Sequence, residues 1–357
     1  MFRILIIALF GSFVLISIAK AEETLIYKGV CDASAGEAIG SDYFLLAADE
    51  YNDNGEDQGD FLFLFSNNES GKKYIKKFKL PSALRKNPER ETDTEASARI
   101  GERIFWITSH GRNKKGKFRP NRYRLYATDV SGSSSDLKVK FAGFYKDLVK
   151  DLIDINNWTA TDVSSVNRLL KKVEAVTRLN EKLPKDERKK LAPKKLGLNI
   201  EGLSALPDNS GLLIGLRNPT MGGKAIIVKL SNVNSLFSNS KTKGRFEGPF
   251  ELDLGGLGIR SMSYVKRING FLIIAGPKNG GGPFKLFKWS GPQTSKIELV
   301  QSLTGGKGSS PEALVSYFDK DKVLILNDEG SKKYNGKKCK KSSIDQQQFL
   351  GRWYSVK

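Results

Sequence analysis

Four side chains able to move protons or hold a ligand crowd into one stretch, Glu91 to Asn113 (ETDTEASARIGERIFWITSHGRN): Asp93, Glu95, Ser109 and His110. Two runs of strand length flank the polar turn at Gly101 and Glu102, which reads as a β-hairpin. In an antiparallel pair the start of the first strand lies beside the end of the second, so Asp93 and Glu95 are expected next to Ser109 and His110. His110 is the only histidine of the chain. With Glu95 and Asp93 beside it, it is a candidate general base or metal ligand. The alternative is a ring that simply hydrogen-bonds a neighbouring carbonyl or carboxylate. A Ser-His-Asp nucleophile is disfavoured, because adjacent residues on a strand face opposite sides and no G-x-S-x-G elbow occurs.

The hairpin that positions these residues recurs. Its other copies are Ala33 to Ala48, Ile200 to Leu216, Ile259 to Ala275 and Pro311 to Leu326, each ending in polar residues or a Gly-Pro turn. Most are followed by two further alternating runs: Phe61 to Phe65 and Tyr74 to Leu80, Arg122 to Thr128 and Val139 to Phe144, Ala225 to Leu230 and Phe250 to Leu254, Phe284 to Trp289 and Ile297 to Leu303. Units of about four strands at such periods predict an all-β fold, a β-propeller of five four-stranded blades, with six as the alternative. The longer gap between the second and third copies carries apolar residues at helical spacing and a charge run, and predicts a largely helical, Lys-rich insertion over 136–198. Thr24 to Val30 belongs to no unit and the last unit lacks a strand, so pairing the two would close the ring.

In a propeller the hairpin starts and ends converge around a central channel. The residues so placed are Asp49, Glu50, Asp93, Glu95, Ser109, His110, Glu201, Arg217, Asn218, Arg260, Glu312, Asn327 and Asp328. Such a ring is either a set of self-neutralising ion pairs that fix the blades or a site. As a site it has two versions. Glu201, Arg217, Asn218, Arg260, Glu312 and Ser109 would bind an anionic or phosphorylated ligand, with the arginines and Asn218 as anion donors. Alternatively Asp49, Glu50 and Asp328, with the other ring carboxylates, would hold calcium or another divalent metal for ester or phosphoester hydrolysis, His110 carrying the proton. A third reading is an interaction platform using the rim and the helical insertion.

The acidic stretch Asp49 to Asp60 is not an EF-hand, since Phe61 stands where the bidentate Glu belongs; a looser calcium site or an ordinary turn remains. Gly280 to Gly282 and Gly305 to Gly308 lack the phosphate-loop spacing and read as turns. Phe118, Arg119, Arg122, Tyr123 and Arg124 alternate aromatic and basic character, fitting either stacking on bases or sugars or an outer strand with snorkelling arginines.

The first 21 residues have a charged start at Arg3, an apolar core and an Ala19-Lys20-Ala21 cleavage signal, the pattern of a secretory signal peptide, the alternative being an uncleaved membrane anchor, for which the apolar run is short; residues 22–357 would be one exported domain, periplasmic or secreted, with no transmembrane segment. Losing Arg3 and Lys20 takes the formal charge from +20 to 57 − 39 = +18. That balance favours an anionic small molecule or envelope polymer as partner, although much of it sits in Lys-rich turns that fit a solvated surface equally well, and no motif points to sequence-specific nucleic-acid recognition. Cys31 and Cys339 fit no zinc spacing. In an oxidising compartment they would form a disulfide tying the termini together, the alternative being two buried thiols.

The segments ETDTEASARIGERIFWITSHGRN, LNIEGLSALPDNSGLLIGLRNPTMGGKAIIV, LGGLGIRSM, LIIAGP and ILNDEG resemble the bacterial secreted proteins grouped as domain of unknown function 3616. The resemblance covers nearly all of the mature chain and implies a fold and an exported location without an established activity. More distantly the hairpin is similar to that of phytase-like esterase propellers, but no motif here matches that family's calcium and phosphate ligands.

Overall fold

The computed structural model describes residues 23–48, 61–84, 91–132, 136–159, 162–179, 181–239 and 241–356. Residues 1–21, read above as a signal peptide, and Asp49 and Glu50 lie outside these. The chain opens with strand β1 (Glu23–Lys28), then β2 (Ala35–Ile39), β3 (Tyr43–Ala47), β4 (Phe61–Ser66), the short β5 (Lys72–Lys73) and β6 (Lys76–Lys79). The second hairpin is β7 (Thr94–Ile100) and β8 (Arg103–Thr108), followed by β9 (Leu125–Ser131) and β10 (Lys138–Tyr145). Helix α1 (Leu148–Leu152), strand β11 (Trp158–Thr159), α2 (Val163–Thr177) and α3 (Lys185–Lys190) come next. Then follow β12 (Asn199–Ala205), β13 (Leu212–Met221), β14 (Lys224–Leu230), α4 (Val233–Ser238) and β15 (Phe246–Leu252). The fourth group is β16 (Gly258–Val265), β17 (Gly270–Gly276), β18 (Phe284–Trp289) and β19 (Ile297–Leu303). Last are β20 (Ser310–Ser316), β21 (Lys322–Asp328), β22 (Lys333–Tyr334), β23 (Lys337–Lys338) and β24 (Gln348–Ser355).

The strands form four-stranded sheets β2-β3-β4-β6, β7-β8-β9-β10 and β16-β17-β18-β19, and five-stranded sheets β12-β13-β14-β15-β11 and β20-β21-β24-β1-β5. The inner strands follow one another in space, with β2 beside β7, β7 beside β12, β12 beside β16, β16 beside β20 and β20 beside β2.

Strand periodicity explains this stacking. Successive side chains point to opposite faces, so a strand apolar throughout feeds two cores at once. In β8, Ile104 and Trp106 join the core shared with β2 to β6, while Phe105 and Ile107 join the core shared with β12 to β15. In β17, Phe271, Ile273 and Ala275 pack one way, Leu272 and Ile274 the other. A further core joins β1, β3, β4, β20, β21 and β24, and includes Tyr27 stacked on Phe349 at 5.0 Å. Each sheet is thus glued on both faces, the arrangement that apolar runs without polar alternation require.

The orphan strand within Thr24 to Val30 finds its place: β1 pairs antiparallel with β24, Thr24 opposite Arg352 and Lys28 opposite Gln348. Beside it, the buried Cys31 and Cys339 form a disulfide with Cα atoms 5.9 Å apart. The expected insertion over 136–198 is narrower in its helical part, since 138–145 is the outer strand β10, paired with β9 from Lys138 opposite Ser131 to Tyr145 opposite Leu125. Helix α2 is capped by Asp162, whose side chain accepts from Ser165 N at 3.0 Å, and buries Val166, Leu169, Leu170, Val173 and Val176. No helix among the described residues is long and apolar enough to cross a membrane.

Because the disulfide closes a loop of most of the chain, Cys31→Ser with Cys339→Ser should lower the unfolding free energy by about 2–5 kcal/mol. Urea denaturation checks this, and the unmodified protein in strong reductant should approach the same midpoint.

Candidate functional site

The polar residues of the inner strands share one backbone device. Ladder pairing slips by one residue in four of the five inner hairpins: between Thr94 and Ala96, Ile200 and Gly202, Ile259 and Ser261, and Pro311 and Ala313. The skipped residue in each case is Glu95, Glu201, Arg260 or Glu312. A β-bulge leaves its extra residue out of the ladder and re-aims its side chain. Here all four are buried and wall one cavity of about 1170 Å³.

Arg260 stands at the centre. Its Nε lies 3.1 Å from Glu201 Oε2, and its Nη2 pairs with Glu312 Oε1. Glu201 also receives Arg217 Nη1 at 2.5 Å and Asn199 Nδ2 at 2.6 Å on Oε1. Burial pulls the Arg260 guanidinium down to about 10, with Arg217 pushing the same way while Glu201, Glu95 and Asp328 oppose it. It therefore remains a cation at neutral pH. A second group forms at Arg122, which pairs with Glu91 and, through Nη1 at 2.9 Å, with Asp93. Burial lowers the Arg122 pKa, but Asp93 and Glu91, helped by Glu95, more than offset this and raise it overall.

The cavity is layered by charge. Its inner wall holds Glu91, Asp93, Glu95, Glu201, Glu312 and Asp328 against Arg122, Arg217 and Arg260, a formal balance of 3 − 6 = −3. Its mouth carries Lys114, Lys115, Lys117, Arg119, Lys194, Lys195, Lys338, Lys340 and Lys341, a formal +9. The inner residues are buried or half-buried, and most of the mouth lysines are exposed.

Three anchored loops carry the mouth. Asn113 Oδ1 accepts from the backbone N–H of Lys115 at 3.0 Å and of Lys117 at 2.9 Å, which curls the first loop. Asn218 Nδ2 donates to Gly197 O at 2.6 Å and holds the second. In the third, Cys339 sits between Lys338 and Lys340, so the disulfide fixes the lysines directly; the fully buried Glu329 accepts from Lys332 Nζ at 2.7 Å and from Tyr334.

Glu95, Asp93, Glu201, Arg217, Arg260, Glu312 and Asp328 come together as expected from sequence. His110, Ser109 and Asn218 do not line the cavity. His110 is fully buried; its Nδ1 donates to Thr108 O at 2.8 Å and its ring meets Tyr123 edge-on at 5.6 Å. Burial lowers its pKa to about 4, the Thr108 bond opposing and Arg124 reinforcing the shift. It is neutral at pH 7 and shut off from the cavity, so the proton-carrier expectation gives way to a packing role. Ser109 N donates to Asp93 O at 2.9 Å, and Ile200 N donates to Ser109 O at 2.9 Å, tying the second sheet to the third. At Gly111 an added Cβ would stand 2.9 Å from Leu198 O and 2.8 Å from Pro193, so only glycine allows this approach. Arg112 donates to the carbonyls of Thr177 and Arg178 at the end of α2, each at 2.8 Å.

Arg217 and Arg260, expected to donate to an anion, are engaged by Glu201 and Glu312 instead. Among the described residues no group of three or more His, Cys, Asp or Glu side chains is arranged to hold a metal ion. Asp328 Oδ1 accepts from Gly330 N at 2.7 Å. The mouth lysines were not singled out as site residues; the doublets Lys114-Lys115, Lys194-Lys195 and Lys340-Lys341 were the available signal.

Arg260→Met should cost about 3–5 kcal/mol, because it strands two buried carboxylates, and adding Glu312→Gln should recover part of that loss; chemical denaturation of both variants checks the pairing. His110 makes stability pH-dependent. Its folded pKa, about 4, lies below the ordinary 6.5, so the unfolded chain binds the extra proton and stability falls as pH drops through that window. The unmodified protein should lose about 2 kcal/mol more than His110→Gln between about pH 7 and pH 4.5.

No curated protein matches the chain in sequence. Among solved structures it is similar to an exo-β-1,3-galactanase from Phanerochaete chrysosporium, with TM-score 0.45 and 9% identity over 94% of this chain and 65% of that one, so it spans less than two thirds of that protein. It is also similar to a GH43 β-1,3-galactosidase, with TM-score 0.48 and 11% identity over 91% of each chain. A third is the Cps50 (Swd1) β-propeller domain of Myceliophteria thermophila, with TM-score 0.32 and 8% identity over 91% of this chain and 84% of that one. At these identities and scores the likenesses bear on neither substrate nor activity. The family model described as Protein of unknown function (DUF3616) matches residues 62–337, and the chain belongs to that family.

Proposed function

We propose that this chain is an exported, five-bladed β-propeller spanning residues 22–357 that binds an anionic or phosphorylated ligand of the cell envelope at the mouth of the charged cavity. The observation that carries the reading is the convergence of nine cations from three separately anchored loops on one opening. Lysines scattered for solubility alone have no reason to share an opening, nor to be held there by Asn113, Asn218 and a disulfide. A positive mouth over low-dielectric walls concentrates anions and speeds their capture. The anion contacts fall to the lysines, because the guanidiniums of Arg217 and Arg260 are engaged by carboxylates. An oxidising, extracytoplasmic location accords with the disulfide and with the leader-like first 21 residues.

Reversing three charges, on the exposed Lys338 and Lys341 and the half-buried Lys340, at up to about 1 kcal/mol each predicts a loss of affinity of about tenfold to a hundredfold. Lys338→Glu with Lys340→Glu and Lys341→Glu should therefore leave a heparin column at clearly lower salt, with an unchanged melting temperature. Reversal of as many lysines on the outer strands, such as Lys76, Lys77 and Lys79, should have a smaller effect. Equal shifts from both sets would contradict a localised site.

A further inference from the structure

Resting on the binding role proposed above, we infer that the occupant of the cavity is an acidic saccharide, its hydroxyl groups seated on the inner carboxylates and guanidiniums and its anionic groups turned outward to the lysines. The charge layering is the first ground. An anion entering far enough to reach Arg260 would meet Glu95, Glu201, Glu312 and Asp328 around it, and a cation would have to pass the lysine mouth and then face Arg217 and Arg260. A neutral, hydrogen-bonding end attached to an anionic body meets neither obstacle.

The second ground is the state of the inner polar atoms. Arg260 is 3% exposed and Asn199 3%, and both line the cavity. Yet the buried Arg260 Nη1, Arg217 Nε and Asn199 Oδ1 have no hydrogen-bond partner, while Arg260 Nε and Glu201 Oε2 meet each other in an ion pair at 3.1 Å without hydrogen-bond alignment. Unpaired donors and acceptors thus stand side by side. A phosphate or carboxylate only accepts, so it serves the guanidiniums and is repelled by the acceptors next to them. A hydroxyl donates and accepts at once, and a pair of neighbouring hydroxyls matches adjacent guanidinium and carboxylate or amide groups.

Size agrees. The cavity volume of about 1170 Å³ exceeds that of pockets for a single small molecule, roughly 300–1000 Å³.

Calorimetric titration of the mature protein tests this with three probes of matched charge: a panel of uronate, sulfated and phosphorylated oligosaccharides, inorganic polyphosphate, and a single-stranded oligonucleotide. The best oligosaccharide should bind at least tenfold more tightly than polyphosphate or the oligonucleotide. Glu95→Gln with Asp328→Asn should erase that preference, with polyphosphate binding kept or strengthened. Polyphosphate or oligonucleotide binding as tightly as every oligosaccharide would overturn the saccharide assignment and leave anion binding standing. If the folded protein bound none of the three probes, both readings would fall.

Discussion

One guanidinium holds the centre of this protein together. Arg260 leaves the ladder of β16 at a bulge and reaches Glu201 on β12 and Glu312 on β20, so a single side chain links the inner strands of three sheets. Burying such a group costs several kcal/mol of desolvation, and only paired partners offset it. That requirement constrains the geometry around it. The two glutamates must also be displaced from their ladders, and they are, by the same bulge at the equivalent place. Apolar sheet-to-sheet packing supplies the bulk of the stability, as the five interleaved cores show, but it specifies the central alignment less sharply than a charge that must be matched.

The second level of organisation lies around this centre. Residues that stand next to the charged core act as anchors for the loops above it: Asn218 pairs in register with Asn199 and holds Gly197, the segment from Thr108 to Asn113 ends β8 and curls the first lysine loop, and Cys339 fixes the third. Chemistry at the mouth is therefore coupled to packing beneath it. His110 shows the principle: its left-handed backbone, φ 50, and its bond to Thr108 serve the turn that lets Gly111 pass close to Leu198.

Much of this was legible in the sequence, and the rest was hidden for physical reasons. The repeated hairpins were visible because strands buried on both faces leave long apolar runs such as Ile104 to Ile107 and Leu272 to Ile274. The orphan Thr24 to Val30 and the distant cysteines pointed to the pairing of β1 with the last sheet and to the disulfide, because an unpaired edge strand and a stray thiol both require partners. The gathering of Glu95, Glu201, Arg260 and Glu312 followed from hairpin geometry alone. The bulges did not, since a two-against-one pairing depends on the partner strand; only the small residue after each, Ala96, Gly202, Ser261 and Ala313, hints at it. Charge runs look alike whether they face solvent or a common opening, so the converging lysines read as ordinary surface. His110 misled for the opposite reason: its rarity suggested chemistry, but its backbone position encloses the ring.

The proposed binding role requires that a cavity whose wall and mouth carry opposite charge receive one ligand across both. A crystal structure of residues 22–357 grown with an acidic oligosaccharide tests this most directly. Continuous sugar density running from beside Arg260 and Glu95 to the lysines flanking Cys339 is the predicted result. A well-ordered oligosaccharide bound elsewhere on the surface, with the cavity holding only solvent, would contradict it.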